Sequence, residues 1–221
     1  MNPKTPLTTD EYRKSVTECI SCVVRDHNPP VFSTPRFGLG NRNSPKLMVI
    51  GSNPPRDPAR CLAGAFTLPY IGEKWDDRRD MVDQLVIQVV SELGLHTSKD
   101  VWSTSAVKCP LHFDREPTRF HAMTCAKAHL AREIVDVKPK VILCIGYTAR
   151  QGFMTGIMGY PRISDKGYTV DGVGSYCRCS IRTYGNVVES DLPDELLPKH
   201  RALWVSKCIE AYHRVVKECY E

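Results

Sequence analysis

Two unbroken apolar runs constrain this chain more than anything else in it. Leu47-Met48-Val49-Ile50 is closed by Gly51, and Val141-Ile142-Leu143-Cys144-Ile145 is closed by Gly146. A strand with no polar positions has no face to offer water, so each run reads as a strand covered on both sides. The segments around them carry helical periodicity instead. Met81, Leu85, Val89 and Leu93 recur at helical spacing within Arg78 to Leu93, with Val82 and Val86 beside them. Pro117 to Val137 repeats the pattern through Met123, Leu130, Ile134 and Val137. A closing helix from Asp194 to Cys219 places Leu197, Trp204, Cys208, Ala211 and Val215 on one face. Two further strands are expected at Val101 to Val107 and at Ser180 to Tyr184, after a glycine- and tyrosine-rich stretch, Ser164 to Cys179, that reads as containing a hairpin. Strands alternating with helices predict a four-stranded parallel sheet in a three-layer α/β/α domain, because right-handed crossovers lay the helices on both faces. No internal repeat or linker divides residues 1–221, so a single domain is expected.

In open α/β sheets ligands sit beyond the carboxyl ends of the strands. Ser52-Asn53-Pro54-Pro55 follows the first apolar run at that place. Two prolines restrict φ and remove two backbone donors, so the loop is stiff and can hold the Asn53 side chain in one direction. The long irregular stretch from Pro54 to Lys74 is of a length that usually signals a functional loop.

The chain carries ten cysteines and a formal charge of +5 in 221 residues. The charge permits an anionic partner without requiring one. No apolar stretch is long enough to cross a bilayer, and Met1 to Pro6 lacks the apolar centre of a signal peptide, so a cytoplasmic location is expected. Thiols stay reduced there, and cysteines point to metal binding or catalysis before disulfides. Cys19 and Cys22 form C-x-x-C, and Cys109 and Cys125 lie far downstream. Folding can gather such a set into a four-thiolate site, which suits zinc or an iron–sulfur cluster alike. Cys144 belongs to an apolar strand and reads as core, and Cys177-Arg178-Cys179 is spaced awkwardly for chelation by both thiols.

Taken together, the ordered pieces resemble the uracil-DNA glycosylase superfamily, in particular its iron–sulfur branch, from about Cys19 to Trp204. Gly38-Leu39-Gly40-Asn41 is similar to the Gly-x-Gly lead-in to that family's first motif. Leu68-Pro69-Tyr70-Ile71-Gly72 is similar to its Pro-Phe-Val-Gly segment, Ala106-Val107-Lys108-Cys109-Pro110 to its Val-Lys-Cys-Arg-Pro, and Pro139-Lys140-Val141-Ile142 with Gly146-Tyr147-Thr148-Ala149 to its Pro-Lys-Val-Ile and Leu-Gly-x-x-Ala. The resemblance implies a glycosylase acting on DNA as a monomer, with Tyr70 stacking on a flipped base. It also implies a 4Fe-4S cluster on Cys19, Cys22, Cys109 and Cys125, with zinc as the alternative.

Three departures shape the expected chemistry. The first motif is Gly51-Ser52-Asn53-Pro54-Pro55 where the branch has Gly-Glu-x-Pro-Gly; it is more similar to the Gly-x-Asn-Pro of the mismatch-specific and single-strand-selective branches, whose Asn positions the attacking water. Ser105 stands where the family has the Asn that pairs with the uracil edge. The last motif, normally built on His, reads Gly185-Asn186-Val187, so the catalytic His is absent and Asn186 is the candidate replacement. Losing such a donor costs about 2–4 kcal/mol of transition-state stabilisation by analogy with an oxyanion donor. Ser105 and Gly185 shorten two walls of the pocket formed with Gly51 and Ser52. A site without its edge-pairing group selects uracil weakly, and a wider one admits a larger base. The expectation is therefore a monofunctional glycosylase for a bulky modified base, for example glucosylated hydroxymethylcytosine in phage DNA, in antiviral defence. The alternatives are uracil excision in base repair, a catalytically inert DNA-binding relative, and a zinc-stabilised protein with no nucleic-acid role.

Overall fold

The computed structural model describes residues 9–19, 38–52, 77–109, 117–157, 175–179 and 197–221. In chain order these form α1 (Thr9–Thr17), β1 (Leu39–Gly40), β2 (Leu47–Gly51), α2 (Asp77–Glu92), a single turn α3 (Thr97–Asp100) and β3 (Val101–Ser105). There follow α4 (Arg119–Cys125), a π-helical turn (Ala126–Leu130), α5 (Ala131–Val137), β4 (Val141–Ile145), α6 (Gly146–Gln151), a second π-helical turn (Gly152–Ile157), β5 (Ser175–Cys179) and α7 (Leu197–Tyr220).

The described strands make one sheet in the order β1-β3-β2-β4-β5. β2 pairs in parallel with both β3 and β4, and β4 pairs in parallel with β5. The two-residue β1 runs antiparallel on the edge of β3. It adds a strand to the four expected. Gly40 closes it with φ 110°, and a Cβ there would overlap the Val101 carbonyl oxygen, so only glycine fits.

The apolar runs behave as their composition demands. Leu47, Val49, Val141 and Leu143 face one core, closed by Leu85, Val86, Val89 and Val90 of α2 and by Trp204, Val205, Cys208, Ala211 and Val215 of α7. Met48, Ile50, Ile142 and Cys144 face the other, closed by Leu130, Ile134 and Val137 of the middle helices and by Ala149, Phe153 and Met154 after β4. Each fully buried Leu, Ile or Val contributes roughly 1.5–3 kcal/mol, and the two-sided burial makes β2 and β4 central.

The last parallel strand departs from the expectation. The last described strand lies at Ser175–Cys179; Ser180 to Tyr184, where a strand was expected, is outside the described residues, as is the rest of the expected hairpin stretch. Val141 pairs with Ser175 and Ile145 with Cys179, so this strand fills the edge of β4 along its whole length.

Thr118 caps α4 by accepting from the His121 amide, while its own amide donates to the His121 ring, a reciprocal cap. Gly152 opens the second π-helical turn against the end of β3. A Cβ there would lie 3.0 Å from Ala106 Cβ and 3.3 Å from the Ala122 carbonyl oxygen. Gly152→Ala is expected to destabilise the chain by about 1–3 kcal/mol through overpacking, read as a lower urea midpoint at unchanged m-value.

Candidate active site

The carboxyl ends of β2 and β3 lie side by side. Gly51 is in register with Ser105. The pairing outlasts the strands: the Ala106 amide donates to the Gly51 carbonyl at 2.9 Å and the Val107 amide to the Ser52 carbonyl at 3.0 Å. The chain thus leaves Ser52 locked beside Val107, and Asn53 is the next residue. Gly51, Ser52 and Ser105 are half-buried, whereas the four residues before Gly51 and the four before Ser105 are buried. Three of the expected pocket residues are therefore brought together where the sheet opens outward. Asn53, Tyr70, Gly185 and Asn186 lie outside the described residues.

Behind this edge sits a buried ion pair that the sequence reading did not anticipate. Lys108 and Glu133 are almost wholly buried, and Lys108 Nζ donates to Glu133 Oε2 and to Thr104 Oγ1. The same carboxylate accepts from Trp102 Nε1 at 2.9 Å, Thr104 Oγ1 at 3.1 Å and the Tyr12 hydroxyl at 3.0 Å. Burial, then the Glu133 charge, pushes the Tyr12 phenol well above its ordinary range, so it stays a donor. A signal was present in the sequence. Glu133 falls on the stripe of Leu130, Ile134 and Val137, and Lys108 lies between the apolar Val107 and Cys109; charges in such places survive only when paired.

His129, on the first π-helical turn, is buried, and its Nε2 has no hydrogen-bond partner among the described residues. Burial, then the Lys108 charge, lowers its pKa from 6.5 to about 4, with Glu133 pulling the other way. The folded imidazole is neutral between those values while the unfolded one takes up a proton. Stability from this group is complete above pH 6.5 and is lost as pH falls toward 4, by up to about 3 kcal/mol. Urea midpoints measured from pH 7 to pH 4.5 should fall in the wild type and fall less steeply in His129→Leu.

Three of the four expected ligand cysteines are described: Cys19 just beyond α1, and Cys109 and Cys125, both buried. The Lys108 amide donates to Cys125 Sγ at 3.2 Å, which brings that sulfur to the residue before Cys109. Buried thiols with an amide donor at one sulfur match the chemistry of a soft metal or cluster site. Among the described residues no three His, Cys, Asp or Glu side chains are grouped to hold a metal ion, and Cys22 lies outside them. Cys144 and Cys208 are core residues.

With this geometry in view, the sequence pattern of the uracil DNA glycosylase superfamily matches residues 37–210. The chain belongs to the uracil-DNA glycosylase superfamily. The match takes in every described strand and stops short of α1 and Cys19. A curated relative, the type-4 uracil-DNA glycosylase of Archaeoglobus fulgidus, is 26% identical over 142 residues, which is 64% of this chain and 61% of the relative. The chain thus spans about three fifths of that relative's length. Within the superfamily pattern the β2 and β3 ends, with Gly51, Ser52 and Ser105, form the described part of the candidate site. No helix among the described residues is long and apolar enough to cross a membrane.

Proposed function

We propose that this chain is a monofunctional DNA glycosylase that removes a bulky, modified base flipped out of DNA. The observation that carries the reading is the pairing of Gly51 and Ser52 with the Ser105 end of β3 in a member of this superfamily. On this reading Ser105 offers a small hydroxyl, and not an amide, at the wall of the base pocket. In the reaction a water oxygen forms a bond to the sugar C1′ as the N-glycosidic bond breaks. The electron pair leaves with the base, which is then protonated, and the water loses its other proton to solvent. Asn53 orients that water through its side-chain carbonyl. Tyr70 stacks on the extruded base, whose removal from the helix is a prerequisite for any such chemistry. Asn186 donates to the departing base, and Ser105 and Gly185 leave room for a substituent. No lysine stands in the water-positioning motif, so no lyase step follows. Excision of a sugar-modified pyrimidine from phage DNA would serve antiviral defence.

Cys19, Cys22, Cys109 and Cys125 would hold a 4Fe-4S cluster, in keeping with the iron–sulfur branch that the sequence resembles. Bound there it would supply a structural tie between the N-terminal segment and the end of β3, and its loss would cost folding. Zinc on the same thiols is the alternative, and a brown protein absorbing near 400 nm would distinguish the cluster.

A second reading, uracil excision in base repair, is favoured by the likeness to a type-4 uracil-DNA glycosylase. One panel of synthetic duplexes separates the two, carrying uracil, hydroxymethylcytosine or glucosylated hydroxymethylcytosine. Release of the glucosylated base supports the proposal. Release of uracil alone overturns it in favour of repair, and binding without any release points to an inert relative.

A further inference from the structure

We infer that Tyr12 and Glu133 are positioning residues that make the seating of the N-terminal helix and the placement of the Ser105 wall a single event; this rests on the β3 end being the pocket wall proposed above. Among the described side chains of α1 only Tyr12 and Val16 are buried, one turn apart on the same stripe. Val16 supplies packing and Tyr12 a directed bond, its hydroxyl donating to Glu133 Oε2 at 3.0 Å. That carboxylate also holds Thr104 and Lys108, the residues on either side of Ser105 and its neighbours. Lys108 in turn aims its main-chain amide at Cys125 Sγ. One carboxylate therefore joins three things: the helix that leads into Cys19, the strand end that carries Ser105, and the amide that braces a candidate ligand sulfur. Arg42, over the Tyr12 ring at 5.8 Å and paired with Asp136 of α5 at 3.5 Å, closes the phenol in from outside. Without the Tyr12 hydroxyl, Glu133 keeps its Lys108, Thr104 and Trp102 donors but loses one of the four bonds that fix the carboxylate, and its hold on Thr104 and Lys108 loosens.

The test is amide hydrogen exchange on the full chain, comparing wild type, Tyr12→Phe, Val16→Ala and Tyr220→Phe. Tyr12→Phe keeps the ring and removes only the hydroxyl. Val16→Ala loosens the same helix by packing alone. Tyr220→Phe removes an exposed bond to the Lys140 carbonyl at the far end of α7 and serves as control. The expected result is exchange about tenfold faster or more across residues 104–109 in Tyr12→Phe and in Val16→Ala, with the amides of β2 and β4 near wild type. The control should match wild type throughout. Faster exchange confined to α1, or spread evenly over the whole sheet, overturns the inference, because either is what a merely structural contact would give. Base release is followed in parallel, where Tyr12→Phe should lower kcat with little change in KM. A wild type that releases no base sinks the glycosylase reading and leaves the exchange comparison to decide this one.

Discussion

Lys108→Met is expected to lower the unfolding free energy by about 3–5 kcal/mol, the effect of removing one partner from a buried ion pair. Methionine fills most of the space of the lysine stem, so the cost is electrostatic and not a cavity. Glu133 is left with a charge in the core and only the Trp102, Thr104 and Tyr12 donors around it. For an ordinary buried pair, replacing the second partner as well restores stability. Here it should not. Lys108→Met combined with Glu133→Leu would strand three donors without an acceptor, each costing roughly 1–3 kcal/mol. The double variant should therefore remain well below wild type. Urea denaturation of the four proteins of this cycle measures both claims. A double variant as stable as wild type would mean that the carboxylate is not the organising acceptor.

Asn53→Ala is expected to slow base release by about a hundredfold to a thousandfold, the usual effect of deleting one preorganised polar group at a reacting centre. Duplex binding should change little, because the role proposed for Asn53 is to orient water and not to hold DNA. The expectation draws its precision from the residues before it. The Gly51 and Ser52 carbonyls are pinned by the Ala106 and Val107 amides, and Pro54 and Pro55 restrict the chain beyond. A side chain held between two such constraints can aim a water, whereas one on a loose loop loses most of that advantage. Single-turnover release on the duplex that the panel identifies is the measurement. A variant as fast as wild type would remove Asn53 from the chemistry altogether.

Much of the fold was legible before any coordinates. Leu47 to Ile50 and Val141 to Ile145 announce two-sided burial because they offer no polar face, and α2 and α7 announce themselves through apolar residues at helical spacing. The Gly51-Ser52 exit beside the end of β3 was legible because short motifs are local. What was not legible depended on partners distant in the chain. The strand at Ser175–Cys179 was not expected, since composition there does not mark it and its register with β4 does. The middle helix read as uninterrupted; nothing in Ala126–Leu130 separates a π-helical turn from an α-helical one, and its packing against neighbouring helices decides.

Periodicity and apolar content by themselves determined β2, β4 and the long helices α2 and α7, because burial of a pattern is a local demand. The company of Tyr12, Trp102, Thr104, Lys108 and Glu133 was decided only by the tertiary structure. A charge inside a core declares that it needs a partner, but which one it finds depends on how the elements cross in space.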